Sequence, residues 1–488
     1  MITAAGGAVF LLAVVGPAGA LIVRSVVAGQ APSEGWLPSA RQWGLLADTV
    51  VLAMSGVCVS TMLALPAAYV VGQFGRPSDR PWMVAILVAP LLLPPMVYAF
   101  GWQRIVALPG PVQCVWVWSA WSWPVPAMIL GSGWSRFGRA AYEAALLSTS
   151  AGSAFPRVVL PLLSRHAAAS GLILMVLFMG EYSVPHACGL SVYATELLGL
   201  AESHGARTIE VLWPSLPLVA VLGATVLAAW RLWRRSDLEH DAASVGSGSP
   251  VVSKGMMALA MGLVALTVVL PIARLACQPA IFSWMADAWR VYRGELMESL
   301  GVSLAAGVMA VAMGVGLAMG SAGRNVATAL ALAFGILPGA LVGEALVAAY
   351  LHVGILYDYW PIVVLSYVAR FGWVGTLAGL LAMRSVHRDL VQQARTDGAD
   401  ELNVDARIRL WPNWPVLAGG VCIVAAFSLA DVTAVSLVRV PSIGTISLTL
   451  IEKMHRFEEG MLVSLSLWLV AAALPAAALA ALALRRRA

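Results

Sequence analysis

The chain has 488 residues, of which 60% are hydrophobic and only 11% charged, and its mean hydropathy is +0.84. Soluble domains hold roughly 45–50% apolar residues, so a soluble enzyme or binding domain is excluded and an integral membrane protein is indicated. The net charge of +5 requires no nucleic acid, because basic loops on the cytoplasmic side of a membrane give the same bias.

In chain order, apolar runs near the roughly 20 residues that a helix needs to cross the hydrocarbon core predict spans over 8–28, 45–72, 82–104, 112–133, 167–186 and 209–231. A second set covers 255–276, 298–320, 327–350, 359–382, 415–436 and 461–483. The runs are too long for barrel strands, which favours helices. The first begins near Val9 with neither a basic residue before it nor a cleavage site after it, so it reads as a retained span. Between the sets, residues 234–254, RRSDLEHDAASVGSGSPVVSK, have a linker's composition. The expected fold class is therefore all-α and polytopic, with about twelve transmembrane helices in two homologous six-span halves, 1–233 and 255–488, joined by the linker 234–254.

With the N-terminus inside, Arg136, Arg139, Arg157, Arg165, Arg384, Arg388, Arg395, Arg407, Arg409 and Arg485 to Arg487 gather on the cytoplasmic side together with Arg76 and Arg80. The opposite side holds about half as many basic residues, so both termini are expected in the cytoplasm. Trp36, Trp43, Trp102, Trp284 and Trp289 fall near predicted outer boundaries, where indoles anchor to the interface. The cysteines Cys58, Cys114, Cys188, Cys277 and Cys422 show no CxxC pairing and the histidines no ligand spacing, so neither a disulfide framework nor a metal or cofactor site is indicated.

An internal repeat appears at a spacing of 250 residues. EAALLSTSAGSAFPRVVLPLL, residues 143–163, lies against QARTDGADELNVDARIRLWPN, residues 393–413, pairing Ala144 with Ala394, Arg157 with Arg407, Val158 with Ile408 and Leu160 with Leu410. Twenty-one residues past each leucine stand Glu181 and Asp431, both acids in apolar surroundings. Each polar stretch mixes small residues with a few charges, as two short helices broken at a Gly or Ser would, and suits a docking surface. Duplicated halves are common among transport proteins.

These stretches resemble the EAA loops of ABC importer permeases. Glu143-Ala144-Ala145 followed by VVLP, and ARTDGA followed by IRL-W-P, are similar to that motif. APLLLPPMVYAFGW (89–102), LPGALVG (337–343), SYVARF (366–371) and residues 428–450 share the character of fused, iron(III)-type permeases. The first loop has Ser148 or Thr149 where the motif has Gly. The second has Gln392 and Gln393 in place of Glu-Ala, and Trp411 precedes Pro412.

The resemblance implies that loops 134–165 and 384–414 dock a cytoplasmic ABC ATPase, in two copies, through Glu143, Ala144, Ala145, Ser148, Leu160, Pro161, Ala394, Asp397, Gly398, Ala399, Ile408 and Leu410. It implies a periplasmic or lipid-anchored binding protein that delivers the substrate, and a bacterial inner-membrane location among lipid. The substrate stays open among iron(III), thiamine, polyamines and oxyanions. The chain has no GxxxxGK[ST] and only two lysines, Lys254 and Lys453, so ATP hydrolysis falls to a separate subunit and no catalytic residues are assigned here.

Ionisable groups inside spans are costly and usually face a cavity or a partner. Glu181 and Asp431 are candidates for lining or gating the pathway, or for structural pairing; Glu344 with Arg370 is a candidate ion pair between neighbouring spans. Pro94 and Pro338 break their helices and are candidate hinges. An ion-gradient-driven secondary transporter using the intramembrane carboxylates is the alternative; it would have no need of matched docking loops.

Overall fold

The computed structural model describes residues 2–27, 38–73, 86–87, 89–135, 139–150, 153, 157–158, 160–204, 208–237, 254–319, 324–386, 388–440 and 443–485. Trp36, Arg76, Arg80, Arg136, Arg486, Arg487 and linker residues 238–253 lie outside them. Every element among the described residues is helical. Seven of the helices are long and apolar enough to cross a membrane, and eight if one sharply bent pair counts as a single span. Apolar side chains such as Ile22, Val51, Met62 and Leu65 are exposed on their surfaces, as lipid-facing helices require. The protein is a multi-pass helical membrane protein.

The expected spans depart from continuous helices where the sequence places Pro or an acid. Residues 327–350 form Val326–Gly335 and Gly339–Tyr350, bent by 114° at the break before Pro338. In 82–104, a 3-10 turn at Ala89–Leu92 precedes the helix Pro95–Gln103. In 112–133, Gly110–Ser122 and Pro124–Gly133 meet at Trp123, where Pro124 lacks an N–H; Trp123 N–H to Ser119 O and Ala127 N–H to Trp123 O carry the ladder across. The spans expected at 167–186 and 415–436 stop early: Leu160–Met179 and Trp414–Ala430 end just before Glu181 and Asp431. The helix Ile281–Met319 has 39 residues, roughly 58 Å at about 1.5 Å per residue, well beyond a hydrocarbon core of about 30 Å. Trp102 is buried edge-on against Trp116, with ring centroids 5.0 Å apart, and is no interfacial anchor.

The chain folds as two compact units that do not follow the division at the linker. One, here the Asp431 unit, comprises 1–43, 194–219 and 282–472; the other, the Glu181 unit, comprises 44–193, 220–281 and 473–488. The first helical stretch of the chain thus packs with residues that follow the linker, and Lys254–Ala276 with residues that precede it.

Both stretches carry a π-helical turn, Leu11–Val15 and Ala265–Val269, and each turn is followed by a proline, Pro17 or Pro271. A proline ring crowds the carbonyl four residues back and removes a donor, and widening to a π turn relieves both. The widened turns are gripped by side chains within their own units. Tyr350 Oη donates to Leu12 O at 2.6 Å. Trp123 Nε1 donates to Thr267 Oγ1 at 2.9 Å.

Candidate functional site

Glu181 and Asp431 each follow the end of a long helix and cap a five-residue one. The Glu181 carboxylate accepts the backbone N–H of Ser183 at 2.7 Å and of Val184 at 3.0 Å, together with the Ser183 hydroxyl, at the start of Ser183–Ala187. It also accepts Trp118 Nε1 at 3.0 Å. Asp431 accepts the Ala434 N–H at 3.3 Å and the Thr433 hydroxyl at 3.1 Å, at the start of Thr433–Leu437. Its second partner is a cation, with Arg370 Nε 4.0 Å from Oδ1. A helix this short cannot support itself, and a carboxylate on its free N–H groups satisfies them and complements its dipole.

The helix breaks are tied to these turns. Pro94 and Pro338 do not kink a continuous helix. They stand just outside one, with ψ near 133° and 138°, as N-caps of Pro95–Gln103 and Gly339–Tyr350. A break leaves carbonyls without partners, and in each unit a later helix supplies a donor. Trp121 Nε1 donates to Leu93 O at 3.1 Å, and Arg370 Nη1 donates to Leu337 O.

One guanidinium in the Asp431 unit therefore serves both the break and the turn. Two indoles one helical turn apart, Trp118 and Trp121, divide those tasks in the Glu181 unit. Gly339 lets the turn approach the broken helix, since a Cβ there would lie 1.8 Å from Thr433 Oγ1. Glu344 is buried further along Gly339–Tyr350, 4% exposed.

A second correspondence lies at the same spacing. Thr49 Oγ1 accepts the Tyr193 N–H at 2.9 Å, and Ser299 Oγ, 250 residues on, accepts the Ile446 N–H at 2.9 Å. Each hydroxyl sits on the longest helix of its unit and fixes the start of the helix after the acid-capped turn, Tyr193–His204 or Ile446–His455. Near the second of these, Lys453 pairs with Glu458 at 2.9 Å and lies over the Tyr292 ring; hydrogen bonds to Tyr292 and Glu458 hold its ammonium above the ordinary lysine pKa.

The two expected docking loops differ in how they turn. Arg388–Thr396 ends in a Schellman motif: Ala399 N–H bonds to Ala394 O, Gly398 N–H bonds to Arg395 O, and Gly398 takes φ +86°. Asp400 then caps Glu401–Asn403, and Arg395 closes on Glu401 at 2.8 Å. Asp397 is exposed, Ala394, Ala399, Ile408 and Leu410 are half-buried, and Trp411 is 75% exposed.

Val391 and Val404 are buried beneath this surface. Asn413 pins the far end to Ser385 Oγ at 2.8 Å and to Ala382 O at 2.9 Å.

In the other loop, Glu143 and Ala144 are exposed on Arg139–Leu146, Ala145 is half-buried, and Leu147 is 90% exposed. Its turn closes through Ser148 N–H and Thr149 N–H to Ala145 O, with no residue at positive φ among those described. Pro161 is exposed at the start of Leu160–Met179.

Among the described residues no three His, Cys, Asp or Glu side chains gather where they could hold a metal ion. The bonds around Glu181 and Asp431 tie the start of a short helix to the interior of a neighbouring one. Such an arrangement can transmit movement between a turn, a break and the helix beside them. The sequence brought forward Glu181, Asp431, Arg370, Pro94 and Pro338, but not Trp118, Trp121, Thr49 or Ser299. The last two could have been found, being hydroxyl residues at the repeat's own spacing. Neither a protein-family signature nor a curated protein matches the sequence.

Proposed function

We propose that this chain is the permease subunit of an ATP-driven importer of the ABC type, moving a substrate delivered by a periplasmic or lipid-anchored binding protein into the cytoplasm by alternating access. The observation that carries the reading is the pair of polar loops at a spacing of 250 residues. Each presents a short helix, exposed small and acidic residues (Glu143 and Ala144, or Asp397 and Gly398), a tight turn, and large apolar side chains in the open, Leu146 and Leu147 or Leu390 and Trp411. Exposed small residues beside apolar anchors suit docking to another protein.

Further support comes from the matched joints, in which acid-capped turns, proline breaks and hydroxyl-held helices recur in both units. These features favour two homologous six-span halves, while the resemblance and the distribution of basic residues favour a bacterial inner membrane with both termini inside. The hydrolase is a separate subunit, in two copies. Iron(III) is the substrate class that the resemblance brings first. The carboxylates that an ion-driven transporter would load accept bonds from Trp118, Ser183, Thr433 and backbone N–H groups, which suits joints better than ion sites.

The test is co-purification of the membrane-extracted protein from its native host, in wild type and in Glu143→Ala and Gly398→Asp variants. The expected result is an ABC ATPase retained by wild type and lost or weakened in both variants. Recovery of the intact protein alone, with uptake that follows an ion gradient, would overturn the reading and make Glu181 and Asp431 ion-coupling residues.

A further inference from the structure

The helix Gly110–Ser122 presents Gly110, Cys114 and Trp118 on one face, four residues apart. The turn that follows Glu181 packs on that face at three successive heights. Trp118 Nε1 donates to the Glu181 carboxylate at 3.0 Å. A Cβ on Gly110 would lie 2.8 Å from the Cys188 carbonyl oxygen, so the backbone of the turn rests directly on the helix. Between these two contacts the Cys114 and Cys188 thiols lie close enough to interact.

Cys188 ends the short helix Ser183–Ala187, with its N–H bonded to Val184 O, and Gly189 turns the chain away at φ +71°. Cys114 is buried and Cys188 half-buried, both as free thiols. At the repeat spacing the corresponding residues are Val364 and Val438, both buried in one core of the Asp431 unit. Aliphatic packing therefore fills the equivalent place there, and thiols are no requirement of this geometry.

We propose that Cys114 and Cys188 are a reversible disulfide site, oxidised by thiol–disulfide exchange with a disulfide-bearing oxidant, either a protein dithiol oxidase or a small-molecule disulfide. The Cys188 thiol is the one within reach of an oxidant. It loses its proton, and its sulfur attacks the oxidant's disulfide to give a mixed disulfide and one free thiolate. The Cys114 thiol then loses its proton and attacks Cys188 Sγ, which expels the second thiolate. The two thiolates take up the two protons, so the cysteine pair is oxidised by two electrons and the oxidant is reduced to two thiols.

The resulting bond fastens the Glu181 turn to Gly110–Ser122 at a second point beside the Trp118 contact, and reduction releases it. A site facing the oxidising side of the membrane, as the proposed orientation has it, would form the bond in the cell. The chemistry itself rests on the contact and does not depend on the permease reading.

The experiment uses the full-length protein purified in detergent and treated with oxidised glutathione. It is then denatured, labelled with a maleimide that adds mass to each free thiol, and digested for mass spectrometry. The expected outcome is loss of two labelled thiols, a Cys114–Cys188 cross-linked peptide, and a raised melting temperature that a reductant reverses. A Cys114→Val/Cys188→Val variant, carrying the residues of the other unit, should fold, lose the cross-link and show no redox-dependent melting shift.

Both thiols still labelled after oxidation, or Cys188 joined instead to Cys58, Cys277 or Cys422, would overturn the proposal. ATPase co-purification reports separately on the transport reading, because the valine variant leaves both docking loops unchanged.

Discussion

The Arg370 guanidinium joins two chain breaks: Nε lies 4.0 Å from Asp431 Oδ1, and Nη1 donates to Leu337 O at the break before Pro338. Both side chains are buried. Removing one partner of a buried pair leaves the other's charge less compensated, which costs up to about 3–5 kcal/mol. Arg370→Gln and Asp431→Asn should each lower stability on that scale, and the double variant should lose clearly less than the two losses together. Thermal unfolding of the detergent-extracted protein measures this cycle. Additive losses would mean that the two residues act separately.

In the Glu181 unit the same work falls to indole N–H groups. Trp118 also stacks on Phe178 with ring centroids 4.8 Å apart and planes 6° from parallel. Trp118→Phe keeps an aromatic ring in the stack and removes one donor from Glu181. The expected cost is about 1–3 kcal/mol, that of a buried polar group losing a partner. Glu181→Gln in the Trp118→Phe background should then cost less than Glu181→Gln alone, because the bond it would weaken is already gone. Equal costs in both backgrounds would separate the indole from the carboxylate.

Much of this arrangement was legible in the sequence, because composition and run length speak directly to a membrane solvent. The positions of Glu181 and Asp431 followed from the repeat, and helix breaks near Pro94 and Pro338 from proline's missing N–H. Span continuity was not legible: an apolar run over 167–186 reads the same whether the helix crosses Glu181 or stops before it, and only the cap bonds decide. Nor was the role of the Trp116 to Trp123 cluster, since an indole's hydrogen-bond partner depends on which neighbouring helix breaks. The exchange of first helices between units leaves no trace in hydropathy, because lipid-facing and partner-facing apolar residues are alike.

Gly398 takes φ +86° to close the Schellman motif of the second docking loop. A β-branched side chain there is strained by about 1–2 kcal/mol, whereas Asn tolerates the left-handed region. Gly398→Val should open this turn to limited proteolysis and reduce ATPase recovery, while Gly398→Asn should stay close to wild type on both measures. Equal behaviour of the two variants would show that the left-handed turn is unimportant to the loop.

Gly339 sits where the broken helix meets the Asp431 turn, and an added Cβ would lie 1.8 Å from Thr433 Oγ1 and 2.7 Å from Thr433 Cβ. Overpacking of this kind typically costs about 1–3 kcal/mol, here with the added risk of disturbing the cap bond from Thr433 to Asp431. Gly339→Ala should therefore lower the melting temperature, and Thr433→Ala, by removing the nearer atom, should recover part of the loss. Gly419 is the control: it lies inside Trp414–Ala430 with nothing within 4 Å of its added Cβ. Gly419→Ala should be neutral or stabilising by up to about 1 kcal/mol, from helix propensity alone. If Gly339→Ala and Gly419→Ala behave alike, close approach of the turn to the helix is not what fixes this joint, and the Arg370 bonds alone must hold it.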